Sequence, residues 1–191
     1  MNFIFLIKYV KTKRVFRILL LFVFFTSQMD AEMIYKFSRT NSLKNWYVTN
    51  DDVMGGVSLG NLMVDDRGLG IFRGSISLEN NGGFSSIRYR INKMKVESNK
   101  IIVLKVYGDG KYYQFRIKEN KRDRHVYIKS FFAKKGWSEI KIPINKMKPS
   151  FRGRSLNMER FNHEVISELG ILFGNKIEEN FELIIHSIKL E

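Results

Sequence analysis

Acidic and flexible residues lie close together where the chain reads Asn-Asp-Asp-Val-Met-Gly-Gly-Val-Ser, starting at Asn50. Asp51 and Asp52 could bind a hard cation with nearby backbone carbonyls, or act as an acid/base pair. Adjacent residues of an extended chain point to opposite faces, which argues against the pair. The simplest interpretation is a turn in which one aspartate accepts backbone N–H bonds, while Gly55 and Gly56 permit positive φ or close backbone approach. The apolar residues of this turn are expected to be buried: Val53, Met54 and Val57.

A second polar motif reads Glu-Asn-Asn-Gly-Gly-Phe-Ser-Ser-Ile-Arg and ends at Arg88. Asn80, Asn81, Ser85 and Arg88 could form a polar patch for a sugar or a peptide carbonyl. The alternative is a loop between strands, with Phe84 buried.

In that loop, Arg88 would pair with a carboxylate such as Asp51 or Asp52. Breaking a buried pair leaves one charge unpaired at a cost of about 3–5 kcal/mol. The sequence therefore predicts that Arg88→Ala unfolds the domain.

Further candidate binding residues flank a glycine near the C-terminal third. Arg152 and Arg154 could contact phosphate or an acidic partner surface, or lie in a solvated loop. Trp46 and Trp137 are the only tryptophans. Exposed tryptophans could stack on a sugar ring, but we expect both in the core.

Catalytic motifs are missing from the sequence. There is no cysteine, and the three histidines do not have the spacing of a metal site. Neither a nucleophile elbow nor a phosphate-binding or dinucleotide-binding glycine motif occurs. The sequence therefore predicts no enzyme, no cofactor and no catalytic or metal-ligating residues.

The net charge is +14, which favours acidic partners, anionic lipid included, by long-range attraction. A lysine-rich solvated surface explains the same charge. The basic residues are spread over the chain without a compact block that interleaves with aromatics. No nucleic-acid partner is therefore predicted.

The first 31 residues are predicted to be a signal peptide or N-terminal anchor. Basic residues from Lys8 to Arg17 precede the apolar run Ile18 to Phe25, and small or polar residues follow. This order is typical of a secretory signal, and the run is shorter than a membrane-spanning helix requires. We expect export, with membrane anchoring or mitochondrial import as the alternatives.

Residues 32–191 show a period of two that predicts an antiparallel β-sandwich in a single domain. Residues 113–118 alternate apolar and polar side chains, and Gly108-Asp109-Gly110 precedes them. We therefore predict a hairpin over residues 101–118 and a short helix of a turn or two within residues 156–168. Further strands are predicted within residues 33–38, 58–64, 69–78, 84–91, 125–132, 138–144, 169–174 and 181–190.

The motifs occur in an order that resembles the complex I intermediate-associated protein family, from about Ile34 to Leu190. The strings at Asp51–Ser58 and Asn81–Arg88, with Gly-Asp-Gly and Phe-Arg-Gly-Arg downstream, carry the resemblance. It implies an all-β, galactose-binding-domain-like jelly-roll sandwich. Mitochondrial members act as assembly chaperones for NADH:ubiquinone oxidoreductase.

The resemblance leads us to predict a non-catalytic module that binds protein partners, respiratory complex subunits of the membrane among them. The alternative is an extracytoplasmic carbohydrate-binding module.

Overall fold

The computed structural model describes residues 31–191, without the side chains of Val53 and Met54. Residues 1–30 of the predicted leader, and the predicted burial of Val53 and Met54, lie outside the described part. The strands of residues 31–191, in chain order, are β1 (Glu32–Lys36), β2 (Trp46–Asn50), β3 (Leu59–Val64), β4 (Gly70–Ile76), β5 (Ser85–Lys95), β6 (Ile101–Gly108), β7 (Lys111–Lys118), β8 (Val126–Ala133), β9 (Gly136–Pro143), β10 (Lys148–Phe151), β11 (Arg154–Ser155), β12 (Val165–Phe173) and β13 (Glu179–Leu190).

The strands form two antiparallel sheets. The six-stranded sheet has the order β3-β4-β13-β6-β9, and β1 also pairs with β13. The seven-stranded sheet has the order β11-β10-β8-β7-β12-β5-β2. Short 3-10 helices lie at Asp51–Met54, Glu79–Asn81 and Ile144–Lys146. The predicted all-β jelly-roll sandwich is confirmed.

Alternating side chains of both sheets meet in one core. On β7, Tyr113, Phe115 and Ile117 are at most 1% exposed. On the neighbouring β12 and on β13 of the opposite sheet, Phe173 and Phe181 stack with ring centroids 4.3 Å apart. The period of two in the sequence therefore indicates which side chains of each strand face the core.

The predicted hairpin over residues 101–118 is wrong, although both strands exist. β6 pairs with β13 and β9, whereas β7 pairs with β8 and β12 in the other sheet. Residues 108–110 therefore carry the chain across the sandwich. The chain crosses back at residues 134–135, between β8 and β9. Gly110 N–H donates to the carbonyl of Ala133 across the two crossovers, at 2.8 Å.

Gly108 is required by the close approach of the two crossovers. A Cβ at this position would lie 2.3 Å from the carbonyl oxygen of Ala133. Gly108→Ala should therefore lower the free energy of unfolding by about 1–3 kcal/mol, the usual cost of overpacking. Urea denaturation measures the change. Ser130→Ala, at an exposed position of β8, is the control, and equal stability of the two variants would contradict the prediction.

The predicted helix within residues 156–168 is also wrong. The segment is irregular up to β12, which begins at Val165. Phe161 is 1% exposed, and its N–H donates to the carbonyl of Met147 at 3.1 Å. Phe161 is the one buried residue of positions 156–164. A segment that buries a single side chain does not need apolar residues at helical spacing. Among residues 31–191, no helix has the length and apolarity to cross a bilayer.

The two tryptophans have different environments. Trp46 is 7% exposed and lies in the core, as predicted. Trp137 is 45% exposed, so its predicted burial is wrong. It occupies the outward face of β9, where it contacts Tyr107 of β6 with ring centroids 5.7 Å apart. Strand alternation alone does not distinguish the two faces when both carry apolar residues.

Candidate functional site

Asp51 joins the loop after β2 to the loop before β5. Its carboxylate is 1% exposed. Oδ1 accepts from Ser58 N–H at 3.0 Å, and Oδ2 accepts from the N–H groups of Gly83 at 2.5 Å and Phe84 at 3.3 Å. The interpretation of an aspartate that accepts backbone bonds in a turn is therefore confirmed for Asp51.

The same bonds argue against a cation at Asp51, because N–H donors occupy both of its oxygens. Within residues 31–191, His, Asp and Glu form no group of three or more that could hold a metal ion. Asp52 lies beside Asp51 with an exposed side chain.

The glycines around Asp51 allow the loops to approach its carboxylate. A Cβ on Gly56 would lie 2.4 Å from the Asp51 carboxyl group, and one on Gly82 would lie 2.5 Å from Oδ2. Gly55 has φ 82°. The predicted close approach is thus present at Gly56, and the predicted positive φ at Gly55.

The junction between the loop after β2 and the loop before β5 carries Asn80 and Asn81 on its exposed surface. Both asparagines have positive φ. The amide of Asn80 donates to the carbonyl of Gly55 at 2.9 Å. Val57 is 48% exposed, so its predicted burial is wrong, and Phe84 is only half-buried. The junction is closed by backbone hydrogen bonds, which explains why it needs little apolar packing.

Burial raises the pKa of Asp51, but hydrogen bonds from Ser58, Gly83 and Phe84 outweigh it and hold the pKa below its ordinary range. The contribution of this carboxylate to the free energy of unfolding is therefore complete above its unfolded pKa of about 4. It is lost as the pH falls through the pKa of the folded state. The urea midpoint should fall on acidification below about pH 4. Asp51→Asn should show a shallower fall, and an identical pH profile would contradict this origin.

Arg88 lies away from this junction, on the outward face of the seven-stranded sheet. Its Nη1 is 3.8 Å from Oε1 of Glu168 on β12. Tyr47 on β2 donates its hydroxyl to the other oxygen of Glu168 at 2.5 Å. The prediction was right that Arg88 has a carboxylate partner, but that partner is Glu168 rather than Asp51. Asp51 is engaged by backbone donors instead.

Arg116 on β7 adds a second guanidinium to this face. Its Nη2 donates to Gln114 at 2.9 Å, whereas its buried Nε has no acceptor in the described part of the chain. Burial and the nearby Arg88 lower the pKa of Arg116 to about 10. The protein therefore holds two arginines close together with Glu168 as the nearby carboxylate.

We call this surface the cationic face and define it as Tyr47, Arg88, Arg90, Arg116, Lys118 and Glu168. Arg90 lies over the ring of Tyr47, 4.6 Å from the ring centroid. Burial, and then the hydrogen bond to Glu168, raise the pKa of the Tyr47 hydroxyl. The tyrosine thus remains a donor that fixes the buried glutamate.

Gly170 makes room for this arrangement. A Cβ there would lie 2.7 Å from the carbonyl of Ile87 and 3.4 Å from Cγ of Arg88. A small recess of about 10 Å³, lined by residues that include Ser86, Arg116 and Glu168, lies beside it. The face therefore presents cationic groups around a shallow recess.

Arg152 and Arg154 are not brought to the cationic face. Arg152 lies in the turn between β10 and β11, and Arg154 begins β11. This hairpin is at the opposite edge of the sheet from β2. Arg152 has φ 49° and Gly153 φ 77°, as in a type I′ turn. Both arginines are exposed.

Sequence reasoning identified only Arg88 and missed the other five members of the cationic face: Tyr47, Arg90, Arg116, Lys118 and Glu168. Glu168 is the only acid in the apolar segment Val165–Phe173. A lone charge within a buried strand is the signal that could have identified the cluster.

The chain matches the family model described as complex I intermediate-associated protein 30 (CIA30) over residues 35–185. It is 28% identical over 187 residues to a probable mitochondrial complex I intermediate-associated protein 30 of Caenorhabditis briggsae, covering 86% of this chain and 55% of the relative. The corresponding mouse protein is 25% identical over 182 residues, covering 83% and 56%. The chain thus spans about half the length of these curated relatives.

Among solved structures, the fold is similar to a family 11 carbohydrate-binding module of a cellulosomal cellulase of Clostridium thermocellum. The TM-score is 0.62 at 15% identity, covering 86% of this chain and 95% of that one. The same module in complex with a mixed-linked tetrasaccharide gives 0.60 at 14% identity, covering 84% and 94%. At such identities the likeness concerns the fold alone. The family match over most of its length shows that the chain belongs to the complex I intermediate-associated protein 30 family.

Proposed function

We propose that this chain is a non-catalytic assembly factor that binds protein partners during the assembly of NADH:ubiquinone oxidoreductase, complex I. The observation that carries the proposal is the family match over residues 35–185. The names of the worm and mouse relatives, which designate complex I intermediate-associated proteins, support it. We further propose that residues 32–191 act as one functional domain.

The cationic face gives this function a physical basis. Arg90 is exposed, and Arg88 is partly exposed and approaches Glu168 only at 3.8 Å. Guanidinium groups form charge-assisted hydrogen bonds with carboxylates. An acidic side chain of a protein partner has the chemistry that suits this surface. The electrostatic attraction between the partner and the cationic face should weaken as salt is added.

Affinity capture of the tagged full chain from gently solubilised membranes, followed by mass spectrometry, tests the proposal. Complex I subunits should be recovered at low salt and released at raised salt. Recovery should fall when Arg88 and Arg90 are both changed to Gln. Arg39→Gln, an exposed arginine outside the cationic face, should leave recovery unchanged. Absence of complex I subunits from every capture would contradict the function.

We propose that the chain acts in mitochondria, the alternative to export, because both curated relatives described above are named as mitochondrial. The basic and apolar residues 1–31 would then serve as a targeting segment. Fractionation of cells with sequencing of the mature N-terminus tests this. Recovery of the chain outside the cell or in a secretory compartment would contradict it.

Carbohydrate binding remains the second candidate. It is supported by the similarity of fold to a module that was solved with a mixed-linked tetrasaccharide and by the exposed Trp137. Calorimetric titration with mixed-linked β-glucan distinguishes the two functions. The assembly function predicts no heat of binding, whereas saturable binding would favour the carbohydrate module.

A further inference from the structure

The exposed aromatic residues of this protein are concentrated at one end of the sandwich. Within residues 31–191 four large aromatics are exposed: Tyr107 (43%), Tyr112 (60%), Phe132 (46%) and Trp137 (45%). Every one lies within three residues of the crossovers at residues 108–110 and 134–135. We call these four residues the aromatic end. Single exposed apolar residues are common, but a concentration of this kind marks an interaction surface.

The four residues form two cross-strand pairs on opposite faces. Tyr107 is opposite Trp137 on the six-stranded sheet, and their ring centroids are 5.7 Å apart. Tyr112 is opposite Phe132 on the seven-stranded sheet, at 5.1 Å. Their chain neighbours Val106 and Tyr113 point into the core, so each pair faces outward. The aromatic rings therefore lie on both outer faces at one end of the sandwich.

The exposed charged residues of the second crossover are both lysines. Lys134 and Lys135 are exposed at the second crossover. At the first crossover, Asp109 is turned inward, where Oδ2 accepts from the Tyr113 hydroxyl at 2.9 Å and from Glu182 N–H at 3.0 Å. Two exposed acids near this end lie opposite basic residues in the sheet: Glu182 is opposite Arg73, and Glu139 is opposite Lys105. The aromatic end is thus bordered by lysines.

We propose that the aromatic end docks on an anionic lipid surface, with its rings in the interfacial layer and the two lysines at the headgroups. Rings on the outer faces of two opposed sheets cannot both be covered by one flat protein surface, whereas a fluid interface surrounds them. Lysine is depleted from protein interfaces, but aromatic rings beside lysines are typical of membrane-surface binding. This inference does not depend on the proposed protein partner.

Trp137 provides a direct test, because the other tryptophan, Trp46, is buried. The full chain is mixed with vesicles of phosphatidylcholine, with or without phosphatidylglycerol, and tryptophan emission is recorded. With anionic vesicles, emission should shift to the blue and brominated lipid should quench it. Trp137→Phe should abolish the quenching. Vesicle binding through residues 1–31 alone would leave Trp137 unquenched and would overturn the proposal.

Charge and ring variants complete the test. Changing both Lys134 and Lys135 to Glu should weaken the quenching-detected affinity by about tenfold or more, and Tyr112→Ser with Phe132→Ser should have a similar effect. Lys121→Glu with Lys146→Glu changes the net charge equally at exposed positions away from the crossovers, and should have a smaller effect. Equal affinity of both charge variants, or an emission shift caused by soluble complex I subunits instead of vesicles, would overturn the proposal.

Discussion

Asp51→Ala is expected to lower the free energy of unfolding by about 3–5 kcal/mol, because it leaves three backbone N–H groups without their acceptor. Those groups belong to Ser58, Gly83 and Phe84, which lie in two loops far apart in the chain. Loss of the carboxylate therefore also separates the loop after β2 from the loop before β5. Urea denaturation at neutral pH measures the effect.

Asp66→Ala is the matched control for this change. The Asp66 carboxylate is fully exposed and is 4.0 Å from Arg39, so an isolated surface pair of this kind contributes little. Its variant should keep the stability of the unchanged protein within about 0.5 kcal/mol. If Asp51→Ala and Asp66→Ala lower the free energy of unfolding by similar amounts, Asp51 does not hold the two loops together.

Glu168→Ala is expected to lower the free energy of unfolding by about 3–5 kcal/mol, because it leaves the half-buried Arg88 without its carboxylate partner. Tyr47 also loses the acceptor of its hydroxyl. Arg88→Ala should cost less, about 1–2 kcal/mol, since the pair is 3.8 Å apart and Glu168 keeps its bond from Tyr47. This replaces the expectation from sequence that Arg88→Ala unfolds the domain.

Glu159→Ala, at an exposed position, provides the baseline for removing a glutamate. Thermal and urea unfolding of the three variants rank their effects. The prediction holds if Glu168→Ala is far the least stable. It is wrong if Arg88→Ala destabilises more than Glu168→Ala, or if Glu168→Ala matches Glu159→Ala.

Alternation of side chains predicted most of the strands, because burial on one face of a sheet leaves a period of two in the chain. The pairing of those strands was less predictable. Gly108-Asp109-Gly110 permits a reversal of the backbone, but a hairpin and a corner between two sheets need the same local conformations. Only packing distant in sequence, such as the contact of Gly110 with Ala133, selects the corner.

The candidate site shows the same limit. The turn around Asp51 was predictable since aspartate and glycine are the residues that such a turn requires. The partner of Arg88 was not, because β12 reaches β5 only through the sheet order. Arg116 gave no local signal beyond its alternation with Phe115 and Ile117. The register between strands determines which residues meet across a sheet. A single sequence does not specify that register.

The proposed role of this chain in complex I assembly is tested most directly by its deletion. Deleting its coding sequence and separating membrane complexes on a native gel measures that role. We expect fully assembled complex I to fall while partial assemblies accumulate, with recovery when the unchanged chain is restored. A normal amount of active complex I after deletion would contradict the account.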